Sequence, residues 1–217
     1  MRPLVLLILL APLLALPARA AQPYHLELEA QPAAVFPYLR TFGSVDLHVY
    51  AGGVRAEAAW TSGFSRNGDA AVTVLNPVSR THVAMPLRDI SSTLLKLAGA
   101  SGALERSLAP ILGPETRGTV GGIVATRHRL VYGPGGWIDV WTTDAVAENP
   151  QYRAIVDELL RGISPGTAKV ARTIRGTPIY VELNFRRFPK VQLLKLKKLT
   201  YAADDEADAL KLPAFYF

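Results

Sequence analysis

The sequence predicts an α+β fold: one domain built on a single curved antiparallel sheet, with helices packed on one face. Three observations carry that expectation. Apolar and polar residues alternate with period 2 through most of the chain after residue 20, the pattern of half-buried antiparallel strands. Turn residues punctuate those runs at hairpin spacing. The strands enclose the first helical stretches in sequence, and both groups are amphipathic, so one shared core serves them all.

Residues 1–20, MRPLVLLILLAPLLALPARA, stand apart from that domain. Arg2 is a short positive n-region, and Leu4 to Leu16 carry no charge. Ala18-Arg19-Ala20 puts small residues where a signal peptidase reads, so cleavage between Ala20 and Ala21 is expected. An uncleaved anchor is the alternative, but the apolar run falls short of the ~20 residues a spanning helix needs, and Pro12 interrupts it. Removing 20 of 217 residues leaves 197, a single domain at 21–217. No later stretch is apolar for long enough to span a membrane as a helix. The chain has no cysteine, which excludes thiol catalysis, redox exchange and cysteine metal sites. Export without disulfides points to a bacterial periplasm. The net charge of +6 drops to +4 when Arg2 and Arg19 leave, and with the export signal this argues against nucleic acid.

The elements follow in order. Val45, Leu47, Val49 and Ala51 share one strand face; after a Gly52-Gly53 turn, Ala56, Ala58 and Trp60 continue the alternation. Asn67-Gly68-Asp69 is a turn, Ala71 to Leu75 a buried strand, and Asn76-Pro77 a second turn. Thr81, Val83, Met85 and Leu87 then alternate until Pro86 ends the strand or places it at an edge. At Asp89 the period changes: Ile90, Leu94, Leu95 and Leu97 predict a capped helix, and a further helical piece spans Ala103 to Ala109. Strands resume at Thr119, with Ile123 to Tyr132 and Trp137 to Thr143 flanking a glycine turn at 133–136. Asn149 as N-cap and Pro150 at N1 open a helix whose stripe is Tyr152, Ile155, Val156, Leu159 and Leu160, with Gly162 as its stop. Gly176-Thr177-Pro178 leads to a strand with Ile179, Val181, Leu183 and Phe185 inward, and a last strand runs from Val191 to Tyr201. An acidic loop and Leu212-Pro213-Ala214-Phe215-Tyr216-Phe217 close the chain.

This order resembles the fold of the periplasmic lipoprotein carrier and its outer-membrane receptor, an incomplete β-barrel with helices covering its concave face. More closely it resembles an uncharacterised envelope family on that plan, the domain-of-unknown-function family numbered 4412. The residues that carry the likeness are Ala70 to Met85, Gly121 to Thr143 (GGIVATRHRLVYGPGGWIDVWTT), Gly176 to Glu182 (GTPIYVE) and the closing LPAFYF. The resemblance implies a ligand held between sheet and helical lid, where each buried CH₂ of a lipid tail contributes about 0.8 kcal/mol.

Recognisable catalytic and cofactor patterns are missing. His25, His48, His82 and His128 lack the spacing of a helical metal motif; each falls in or near a strand, where solvent-facing placement is the simpler expectation and convergence of His48, His82 and His128 on a metal the sharper one. There is no GxSxG elbow, and Gly121-Gly122 and Gly133 to Gly136 have neither phosphate-loop nor dinucleotide spacing, so no cofactor and no enzyme is expected. Trp137 and Trp141 share a strand face with Asp139 between them, so that face is not wholly dry.

The functional expectation is a non-catalytic periplasmic protein that binds a lipid, acyl chain or lipoprotein. Trp60, Val83, Met85, Trp141, Val181 and Leu183 would form the wall, with Leu94 and Leu97 above. Arg186, Arg187, Lys190, Lys195, Lys197 and Lys198 form a basic run that suits anionic headgroups or an envelope protein partner. The same run also reads as a solvated strand face. Two other classes remain open: an interaction or structural module with a filled core, and a hydrolase with dispersed residues.

Overall fold

The computed structural model describes residues 22–31, 43–59, 61–90, 109–133, 136–185, 188–201 and 206–217. They form one antiparallel sheet of 12 strands, curved but not closed into a barrel, with helices packed on one face. The first six strands are β1 (Tyr24–Gln31), β2 (Ser44–Tyr50), β3 (Gly53–Ala58), β4 (Thr61–Arg66), β5 (Ala71–Asn76) and β6 (Thr81–Pro86). The second six are β7 (Ile111–Leu112), β8 (Thr116–Val120), β9 (Ile123–Val131), β10 (Gly136–Thr143), β11 (Thr177–Phe185) and β12 (Phe188–Tyr201). Across the sheet the order is β6-β5-β4-β3-β2-β1-β12-β11-β10-β9-β7, and β8 also pairs with β9, on the edge away from β10. Strands β1 and β12 join the two halves: Leu26 stands between Leu47 and Leu199, and Leu28 between Val45 and Leu196.

Alternation sends Leu26, Leu28, Leu47, Val49, Val54, Leu130, Ile138, Val140, Ile179, Val181 and Leu196 to one face. Helix α1 (Pro150–Ile163) covers it with Tyr152, Val156, Leu160 and Ile163, and α2 (Pro165–Ala171) follows directly. Asn149 caps α1 by accepting from the amides of Gln151 and Tyr152, both at 2.9 Å, and its side-chain amide donates to the Tyr50 carbonyl at 2.8 Å. Gln151, buried, ties the helix to the β4–β5 hairpin through Ser65 Oγ (2.6 Å), the Asp69 carbonyl (3.0 Å) and the Gly68 amide (3.0 Å). Arg153 donates to the carbonyls of Ala171 (2.5 Å) and Ile174 (2.9 Å) and pairs with Asp157, fastening the α2 turn to α1.

The opposite face has its own cover on one half. Residues 206–217, which open with the short α3 (Glu206–Ala209), lie over β2–β5 and sink Leu210 among Tyr50, Phe64 and Leu75. Arg66 donates twice to the Leu210 carbonyl, and Glu206 accepts from the Gly52 amide at 2.6 Å. Phe217 bonds Arg80 and His82 at the edge strand.

Several expectations change. β1 and β4 are strands the alternation reading passes over; in β4, Ser62 and Gly63 sit inside the strand. Gly162 does not stop α1, because Ser164 caps both helices: its amide closes α1, and its hydroxyl accepts from Thr167 N at 3.1 Å to start α2. Helical geometry is present at 87–90, ahead of the expected Asp89 cap. The helix expected beyond residue 90, the piece expected from Ala103 to Ala109 (all but its last residue) and the expected signal peptide at 1–20 lie outside the described residues.

Candidate functional site

The other half of the face opposite α1, β8 to β12, carries an open cleft of about 450 Å³. It is built row by row from the register. Arg127 (β9), Trp141 (β10), Tyr180 (β11) and Lys195 (β12) stand directly opposite one another across four strands. The next row is Arg129, Asp139, Glu182 and Gln192, and a third pairs Trp137 with Asn184. Strand β8 makes the side wall with Thr119 and Val120, and Gly121 extends it. Two glycines permit that approach. A Cβ at Gly118 would stand 2.8 Å from the Trp141 ring; one at Gly121, whose φ is +56°, would stand 2.9 Å from the Leu196 carbonyl.

The charges are arranged unevenly. Arg129 and Asp139 form a bidentate pair, both bonds 2.7 Å long, and the hydrogen bond to Asp139 raises the arginine's pKa. Lys190 Nζ lies 2.9 Å from Glu182, which also accepts from the Tyr180 hydroxyl. Burial, first, and the Glu182 carboxylate, second, push the Tyr180 phenol upward, so it stays a donor at neutral pH. Arg127 and Lys195 form no ion pair among the described residues; Arg127 instead lies over Trp141, 5.9 Å from the ring centroid, and its Nε is shielded with no hydrogen-bond partner. Arg129 covers Trp137 in the same way at 4.7 Å. Trp141 and Tyr180 meet edge to face, 6.4 Å apart. The result is an aromatic floor crossed by two ion pairs and flanked by two cations outside any ion pair, Arg127 and Lys195, with Glu29 of β1 opposite Lys195 in the register.

The expected wall does not form one surface. Val181 (3% exposed) and Leu183 lie on the helix-side core face, whereas Trp141 stands opposite Tyr180 on the other face, because each follows the parity of its strand. Val83 and Met85 are on the helix side of edge strand β6, far across the sheet from β11, with Val83 62% exposed. Trp60, Leu94 and Leu97 lie outside the described residues, as do Arg186 and Arg187. Of the basic run, Lys190 and Lys195 line the cleft, while Lys197 and Lys198 are exposed, Lys198 opposite Glu27.

The histidines do not converge. His25 and His48 stack at 4.5 Å on β1 and β2, His82 is exposed on β6, and His128 is buried on β9, contrary to the solvent-facing expectation. His128 Nε2 meets Thr142 Oγ1 at 3.1 Å; Glu115 Oε1 lies 3.1 Å from Nδ1 without hydrogen-bond geometry. This resembles a carboxylate–imidazole–hydroxyl relay, but Thr142 is 4% exposed on the core face, out of reach of a substrate. Sequence reasoning does not single out Arg127, Arg129, Tyr180, Glu182 or Asn184, and it reads Asp139 only as a sign of a wet face. Their signal is the shared parity of charged and aromatic residues on three neighbouring strands.

These features define a class: an open antiparallel sheet with a helix-packed core on one face and a strand-walled, basic aromatic cleft on the other. No family model matches the chain, so the likeness to the family numbered 4412 stays with the residues quoted for it. No curated protein matches. Among solved structures the chain is similar to an uncharacterized conserved protein from Thermus thermophilus, at 8% identity over 90% of this chain and 88% of that one, TM-score 0.49. It is also similar to LprF from Mycobacterium bovis, at 13% identity over 85% of this chain and 88% of that one, TM-score 0.32. Both likenesses are too distant to say more about this chain. No helix among the described residues is long and apolar enough to cross a membrane.

Proposed function

We propose that this is a non-catalytic envelope binding protein, exported by residues 1–20, whose ligand is amphipathic and sits in the β8–β12 cleft. The observation that supports it is the floor formed by Trp137, Trp141 and Tyr180 with cations at its margins, in a cleft of about 450 Å³. That volume suits a small amphiphile. Aromatic faces take up the apolar part of such a molecule, and the long cationic side chains meet its polar end. An acyl chain beneath α1 has less support, because Leu26, Leu130, Ile138, Leu160, Ile179 and Leu196 already fill that interior.

Native mass spectrometry of the full chain, purified gently from its own envelope and extracted with organic solvent, tests this reading. A stoichiometric amphiphile that is lost on Trp141→Ala is expected. A bare mass, with no quenching of tryptophan fluorescence by added dodecyl phosphate or dodecyl maltoside, would overturn it.

A further inference from the structure

We infer that the ligand's polar end is a compact anion of the phosphomonoester kind, held between Arg127 and Lys195 above Trp141 and Tyr180. This rests on the reading that the cleft is the ligand seat. Of the charged groups lining the cleft, four are cationic and two anionic. The two carboxylates are already committed: Asp139 to Nε and Nη2 of Arg129, Glu182 to Lys190 and Tyr180. Arg127 and Lys195 are left outside any ion pair, at either side of the Trp141–Tyr180 pair in one cross-strand row, which Glu29 of β1 continues beyond Lys195.

The row spans three strand spacings of roughly 4.8 Å, about 14 Å between its ends. Arginine and lysine each reach roughly half of that from their Cα atoms, so their heads can meet above the two rings. Trp141 supports the Arg127 side chain at 5.9 Å, and the shielded Nε has a donor to spare. A guanidinium and an ammonium on either side of one small group match the two charges of a phosphomonoester near neutral pH. An uncharged head would offer neither Arg127 nor Lys195 a charged partner. A cationic head would meet two like charges in a partly desolvated cleft, which is a strong discrimination against it. The Asn184 amide adds a neutral donor on the third row, suited to the polar atoms that link head to chain.

Titration calorimetry of the full chain with dodecyl phosphate, dodecyl maltoside, dodecyltrimethylammonium and inorganic phosphate tests the inference. Dodecyl phosphate is expected to bind at least about 10-fold more tightly than dodecyl maltoside, and dodecyltrimethylammonium most weakly. Arg127→Gln and Lys195→Gln are each expected to weaken dodecyl phosphate about 10-fold while leaving dodecyl maltoside unchanged. Lys195→Glu should do the same more strongly, and serves if Arg127→Gln does not fold. Competition by inorganic phosphate at millimolar concentration would assign recognition to the phosphoryl group itself. Its absence, with dodecyl phosphate still preferred, would assign it to a headgroup carried on a chain. Equal affinity for the phosphate and maltoside amphiphiles would overturn the anion inference and leave the cleft reading standing. No binding of any amphiphile would overturn both.

Discussion

The two faces of this sheet come from the same strands yet obey different rules. On the helix side, Ile138, Val140, Ile179 and Val181 meet α1 in a packed interior. One residue along each strand, Trp137, Asp139, Tyr180 and Glu182 line an open cleft with charges inside it. Burying Asp139 and Glu182 on the cleft side is tolerable only because each carboxylate has a close cationic partner. The helix side therefore supplies stability, and the opposite side spends part of it on polar groups held in place for a ligand. The same alternation yields both.

The division is open to attack from either side. The largest effect is expected from Ile138→Ala, whose wild-type side chain is fully buried (0% exposed) against the helix-side core. A loss of about 2–5 kcal/mol in urea unfolding is expected, with affinity for dodecyl phosphate unchanged in the folded protein. Arg153→Met should cost about 2–4 kcal/mol, since it strands the Ala171 and Ile174 carbonyls and leaves Asp157 with Arg172 alone. Asp139→Asn crosses to the cleft. Arg129 is a third exposed, so solvent screening limits the loss to about 1–2 kcal/mol. Freeing Arg129 should strengthen dodecyl phosphate binding. A cleft residue that costs stability but improves binding is the signature of a functional face, and weaker binding would contradict that assignment.

The smallest effect concerns pH. Burial, outweighing the pull of Glu115, lowers the His128 pKa below its ordinary value of 6.5. The folded state therefore prefers the neutral ring, and the unfolded state takes the proton first as pH falls. Its contribution is complete above pH 6.5 and is lost as pH drops through the folded-state value. Arg153 faces the ring and acts in the same direction as burial. His128→Gln, which can keep a bond to Thr142, should flatten the decline in urea midpoint between about pH 7.5 and about pH 5. An unchanged decline would place the acid sensitivity elsewhere.

Much of the fold was legible because alternation is a local signal. The Asn67-Gly68 turn and the Asn149 cap stand where the sequence puts them, and the turn expected at Gly52-Gly53 falls one residue earlier, at Ala51-Gly52. β4 was not legible, because TSGFSR has a single large apolar residue and places a glycine beside Thr73 of the next strand. The cleft was half visible. Trp137, Asp139 and Trp141 announce a mixed face within one strand, but Arg127, Tyr180 and Lys195 join it only through register between strands. A bulge at Trp141/Thr142 and another at Val181/Glu182 set that register, and neither has a sequence signal. The expected wall gathered apolar residues by type; parity divides them between the two faces.

Methyl and indole NMR of the full chain during titration with dodecyl phosphate tests the division between faces most directly. The account expects the indole N–H signals of Trp137 and Trp141, assigned by Trp→Phe variants, to shift and saturate together, while the methyls of Ile138, Ile179 and Leu196 stay put. Shifts concentrated in those helix-side methyls, with the two indoles unmoved, would place the ligand beneath the helices and contradict it.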